Sequence, residues 1–187
     1  MTVTTVLYVA SSGDDGYCVD PSTFINTYNR CQFGHSSVSA DFDAFFRFPS
    51  SGIPQGSVIV SAVLTVKEKY GKSGPVNVRI KGCAEDDSAQ MSSYADYHGR
   101  SRTSAYTDWS PEDWLSGVEY NSPDISAVVQ EIVDRAGFDG GSIQIVIDEY
   151  SSGATNNRAP TSYDDGYYTY LTVEYVVPAE GSFFVMW

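Results

Sequence analysis

Basic residues are scarce in this chain: 11 Lys and Arg stand against 24 Asp and Glu among 187 residues, a formal net charge of −13. Charge of that sign repels phosphate backbones and anionic headgroups, so neither nucleic acid nor a membrane surface is an expected partner. Cations, or a basic protein surface, suit it better. Cysteine is also rare. Cys18, Cys31 and Cys83 are too few for a disulfide scaffold and hold no C-x-x-C pair. A Cys18–Cys31 bridge between neighbouring strands and buried free thiols are both open readings. The two histidines, His35 and His98, lie in Ser/Tyr/Gly-rich stretches. No H-E-x-x-H, G-x-S-x-G or P-loop pattern accompanies them, so they read as surface imidazoles and no enzyme is expected. No apolar run approaches the roughly 18 residues of a membrane-spanning helix. The opening Met1 to Val6 also lacks the basic region and apolar run of a secretion signal. The expectation is a soluble chain without membrane insertion or a secretion address.

What is abundant points to sheet. Tyrosine (14) and glycine (16) stand among many Thr, Ser and Val residues, and β-branched and aromatic side chains fit a half-buried pleated surface. From Asp41 to Phe48, Phe42, Ala44, Phe46 and Phe48 share one face while Asp43 and Arg47 share the other. Ile53-Pro54-Gln55-Gly56 predicts a turn, and Ser57 to Tyr70 a long strand with Ala62, Leu64 and Val66 inward. Beyond Gly71 to Gly74, Pro75 to Cys83 alternates again through Val76, Val78 and Ile80, and these two strands are predicted to form a hairpin. Thr2 to Ala10, Ser142 to Glu149 and Tyr167 to Val177 supply further strands, the last two carrying Ile143, Ile145, Ile147 and Leu171, Val173, Tyr175 on single faces. Strands joined by Gly/Ser/Asn/Asp loops predict an all-β antiparallel sandwich or barrel.

One segment changes period. Ile125, Val128, Val129, Ile132 and Val133 follow helical spacing and predict one short amphipathic helix over about 123–135. Ser122 is the expected cap, Pro123 the first helical residue, Asp124 the complement to the dipole and Gly137 the left-handed stop. Such a helix would cover an open end or edge of the sandwich. Ala84 to Asn121 reads as a long irregular loop holding two of the three Trp residues. Residues 1–177 are read as one domain and 178–187 as an apolar tail.

Three groups of residues are candidates for function. Asp14, Asp15 and Asp20, with Gly16 in a tight turn, offer oxygens to a structural calcium; no other cofactor is expected. Glu85-Asp86-Asp87 and Asp164-Asp165-Gly166 are similar, though none has EF-hand spacing and Asp and Gly are ordinary turn residues. Trp109, Trp114, Tyr163 and Tyr167, flanked by Arg158 and Asp164, could form a glycan-binding face, or the two Trp could plug the end of the sandwich. Phe183, Phe184, Val185, Met186 and Trp187 form an apolar run after the last strand, read either as an anchor buried in a partner or as an edge strand on its own sandwich.

Several short motifs in order carry a family resemblance. They are Phe45-Phe46-Arg47-Phe48, Ile53-Pro54-Gln55-Gly56, Ser61 to Val66, Val76 to Ile80, Asp108-Trp109-Ser110-Pro111, Ser122-Pro123-Asp124-Ile125, Asn157-Arg158, Ser162-Tyr163-Asp164 and Leu171 to Tyr175. Over roughly residues 14–176 the chain resembles the DNRLRE and disaggregatase-related jelly-roll modules of secreted surface proteins and phage virion proteins. That resemblance implies a jelly-roll sandwich without catalytic activity and, in some members, polysaccharide binding. The expectation is a phage virion protein, found in the virion or outside the cell, that decorates a capsid or builds a fibre or tail appendage. Its expected partners are other virion proteins and further copies of itself as a homo-oligomer. The alternative is a carbohydrate-binding module that recognises a host polysaccharide.

Overall fold

The structure, a computed structural model, describes residues 1–36, 40–152 and 155–178. Its strands are β1 (Thr2–Tyr8), β2 (Asp15–Val19), β3 (Thr23–Ile25), β4 (Phe33–His35), β5 (Asp41–Phe48), β6 (Val58–Lys67), β7 (Val78–Gly82), β8 (Thr107–Trp109), β9 (Glu119–Asn121), β10 (Ile143–Glu149), β11 (Asn157–Arg158) and β12 (Tyr170–Val176). Two helices join them, α1 (Tyr94–Gly99) and α2 (Ser126–Val133). Four antiparallel ladders define the topology: β1 with β12, β5 with β10, β6 with β9, and β7 with β8. This is a long hairpin whose tip lies between β7 and β8. Rolling it brings β12 beside β6 and β10 beside β7, giving sheets ordered β1-β12-β6-β9 and β5-β10-β7-β8. The result is a jelly roll. The second sheet is widened by β2 and β3 beyond β5, and by β4 and β11.

The period-two pattern puts one face of each sheet into a shared core. Leu7, Leu171 and Leu64 lie opposite one another across three strands of the first sheet. Phe46 with Ile145, and Ala44 with Ile147 and Ile80, do the same in the second. All of these are buried. Truncating one such side chain to Ala typically costs about 2–5 kcal/mol.

Three expectations need correction. Ser57–Tyr70 and Pro75–Cys83 do not form a hairpin, because β6 and β7 belong to different sheets. Two strands with one apolar face each are satisfied as well by facing each other across a core as by lying side by side. The edges decide it here, since β12 and β9 flank β6 while β10 and β8 flank β7.

The helix is shorter than 123–135. Ser122 and Pro123 precede it and serve the sheet instead: the Ser122 hydroxyl accepts from the Leu64 N–H at 3.0 Å. Asp124 Oδ1 accepts from the Ala62 and Ser126 N–H groups at 2.9 and 3.1 Å. Gln130 accepts from the Ile59 N–H at 2.7 Å and donates to the Ser57 carbonyl at 2.9 Å. These side chains occupy the β6 edge that three-residue β9 leaves open, a covered edge of the kind that prevents pairing with other chains. Meanwhile Ile125, Val128, Val129, Ile132 and Val133 are fully buried in the core. Gly137 lies outside the left-handed region. A Cβ there would fall 2.2 Å from an Asp86 carboxylate oxygen, so that side chain would have to shift.

Residues 84–121 are not wholly irregular. They contain α1, whose first turn is capped by the Ser93 hydroxyl accepting from the Asp96 N–H. The segment covers the outer face of the second sheet, where Met91 and Tyr97 pack with Cys18, Phe45, Cys83 and Val146 in a second core. All three cysteines are buried free thiols, so the Cys18–Cys31 bridge is set aside. Burial pushes Cys18 up to about 12 and Cys83 up to about 11, which keeps both thiols protonated and unreactive.

Candidate functional site

The loop from β8 to β9 forms a cleft of about 520 Å³ lined by Trp109, Ser110, Pro111, Glu112, Trp114, Glu119, Tyr120 and Asn121. Arg158, with no exposed surface, holds this loop from beneath. Its guanidinium donates to the carbonyls of Glu112 at 2.6 Å, Pro111 and Gly74 at 3.0 Å and Asn157 at 3.1 Å. Five N–H groups in a fixed fork suit such a cluster of carbonyls. Lys72 and Trp114 exchange backbone hydrogen bonds at 2.7 and 2.8 Å, fixing the far side. An aromatic chain fills the interior: Phe33 to Trp109 at 5.5 Å, Trp109 to Trp114 at 5.5 Å, and Trp114 to Tyr120 at 4.7 Å with rings 9° from parallel.

That arrangement corrects the predicted glycan-binding face. Trp109 and Trp114 are 7% and 2% exposed, and Tyr120 covers one face of Trp114, so neither indole presents an open face to a sugar ring. Arg158 is a structural brace rather than a polar flank. Tyr163, Asp164 and Tyr167 lie apart from the cleft lining, in the loop before β12. Tyr163 packs against the core and against Tyr168 at 5.1 Å. Asp164 accepts from the Ser12 hydroxyl at 2.6 Å, and the Lys67 ammonium sits 5.3 Å from the Tyr167 ring centroid. The cleft therefore keeps both tryptophans as walls and adds four polar groups, on Ser110, Glu112, Glu119 and Asn121. It also adds Tyr120, which the sequence reading did not single out.

Asp14, Asp15 and Asp20 do not converge on a calcium ion. Asp14 pairs with Arg47 at 2.7 Å and accepts from the Ser11 hydroxyl. Asp15, buried, accepts from the Tyr163 N–H at 2.8 Å, and burial raises its carboxyl to about 7. Asp20 lies with different partners, Asp43 and His98, whose ligating atoms fall within 4.8 Å of one another. His35, Asp41 and Glu149 form a second such group. Both histidines, expected to be plain surface imidazoles, thus stand among carboxylates. The remaining acidic runs are taken up singly: Glu85 by Arg100, Asp86 by Arg135, Asp87 by the Ser142 N–H and Asp165 by Lys69.

The outer face of the first sheet has a different character. Its rows run Tyr8–Tyr170–Thr65, Val6–Thr172–Val63, Thr4–Glu174–Ser61 and Thr2–Val176–Val58. Glu174 is the single charge among them. Tyr8, Val58 and Val60 are each at least half exposed, at 53%, 59% and 50%. β1 ends the sheet with seven residues that include no charge and no proline, and among the described residues it pairs only with β12.

Phe183 to Trp187, the expected anchor, lie outside the described residues. No family model matches the chain, and no curated protein matches it.

Proposed function

We propose that the protein is a non-catalytic structural subunit of a phage virion that works by packing its jelly roll against further copies and neighbouring virion proteins. The observation that carries this reading is the outer face of the β1-β12-β6-β9 sheet. A molecule of net charge −13 presents there, across β1, β12 and β6, rows rich in Val and Thr with the single carboxylate Glu174, ending in a strand edge that among the described residues has no partner. Exposed apolar surface of this kind is what subunit interfaces use. The sequence supports a second contact, the apolar run Phe183 to Trp187, as an anchor to the shell or a neighbour. The experiment is a mass measurement by light scattering over a range of protein concentration. The expected result is an oligomer that Val6→Glu with Val60→Glu reduces to a folded monomer; a wild-type chain that stays monomeric at high concentration overturns the reading.

A second reading, polysaccharide binding, is favoured by the β8–β9 cleft, whose polar rim of Ser110, Glu112, Glu119 and Asn121 offers hydrogen-bond partners to a sugar's hydroxyls. Its test is a glycan array. Binding lost in Asn121→Ala, an exposed rim position, with an unchanged thermal midpoint, supports it.

A further inference from the structure

Five carboxylates crowd the outer side of the second sheet. Asp41 and Asp43 lie two residues apart on β5, Asp148 and Glu149 end β10, and Asp20 follows β2, where the Asp20 N–H donates to the Asp41 carbonyl. Among the described residues no Lys or Arg forms an ion pair with any of them, and the imidazoles of His35 and His98 lie against Asp41 and Asp20. Asp43 is the anomaly. It is 7% exposed, and of its two oxygens only Oδ1 has a hydrogen-bond partner among the described residues, the Glu149 N–H at 2.7 Å. A buried carboxyl with no counter-charge must either keep a proton or gain a positive partner.

We propose that Asp20, Asp43 and His98 form a binding site for a first-row divalent cation of zinc-like preference, with water in the remaining positions. Three elements supply the donors: Asp20 beyond β2, Asp43 on β5 and His98 on α1. Their ligating atoms lie within 4.8 Å of one another, and Asp20 Oδ1 is 3.8 Å from His98 Nε2. Donors around tetrahedral zinc stand roughly 3.3 Å apart. Modest rotation of Asp20 and His98, 38% and 39% exposed at their side chains, closes that gap, and the same exposure gives an ion its path in. Supporting contacts are present as metal sites require. The Tyr94 hydroxyl donates to Asp20 Oδ1 at 2.5 Å, and the Tyr94 ring lies 4.2 Å from the His98 ring. An imidazole with two carboxylates selects zinc, manganese or iron over calcium, which takes six to eight oxygens. A cation here would tie α1 to the sheet it covers.

The test is titration of Zn²⁺ into chelator-stripped, full-length protein by calorimetry, with hydrogen exchange read on residues 93–100. The expected result is one equivalent bound at this site and slower exchange in α1. Affinity should fall at least tenfold in both His98→Gln and Asp43→Asn, and stay unchanged in His35→Gln. No saturable binding overturns the proposal. So does binding that His98→Gln leaves intact, and so does binding that His35→Gln removes, which would move the ion to the neighbouring group. Equal binding of Ca²⁺ that is insensitive to His98→Gln also overturns it.

Discussion

Asp43 shows how one residue sets a pH dependence. Burial raises its carboxyl from an ordinary 3.8 to about 8, opposed by the Glu149 N–H and reinforced by Asp148, Asp20 and Asp41. The folded state therefore holds a proton that the unfolded chain releases near pH 4. The stability it contributes is complete below that value and is lost as pH rises toward 8. Asp15, raised to about 7 by burial, acts in the same direction. Asparagine at position 43 can still accept from Glu149 and has no charge to bury. In chelator, Asp43→Asn should match wild type near pH 4 and exceed it by a few kcal/mol at pH 8 in urea unfolding. A constant difference across that range would count against this account of Asp43.

At the scale of elements, the contribution of segment 122–130 is separable from its apolar stripe. Gln130→Ala removes the bonds to Ile59 and Ser57 while leaving the four buried residues of α2 in place. It should cost about 1–3 kcal/mol by thermal or urea unfolding and should raise the aggregation rate, because the β6 edge is uncovered. This region also shows what was legible in the sequence. Alternation in Asp41–Phe48 and spacing in Ile125–Val133 located β5 and α2, because burial on one face is written directly into residue order. Which strands pair is not written there, and the expected hairpin failed for that reason. Helix α1 is six residues long, too short for a periodic signal, and its cap Ser93 stands among other serines. The sites follow the same rule. Trp109 and Trp114 were visible by residue type, but Tyr120 becomes a wall only by stacking on Trp114. Asp20, Asp43 and His98 meet through the pairing of β2 with β5 and the docking of α1, and no local spacing joins them.

For the whole molecule, the net charge and the Val/Thr-rich β1-β12-β6 face, with its single Glu174, make opposite demands. On the proposed packing, copies would repel at long range, over a Debye length of about 8–10 Å at physiological salt, and attract only where the Val/Thr surface is covered. Self-association should therefore strengthen as salt rises from low to moderate concentration, which sedimentation at several ionic strengths would reveal. Association that weakens with salt would instead place ion pairs at the contact.

Thr2 stands opposite Val176, so the outermost ladder joins the two most distant parts of the sandwich. No ribosome-bound fragment lacking β12 can seat β1, and the Leu7–Leu171–Leu64 row stays open until β12 is made. Closing so long a loop is entropically slow. A chain that has not yet made β12 holds β1 unpartnered, so misassembly during folding should rise with the number of chains in that state at once.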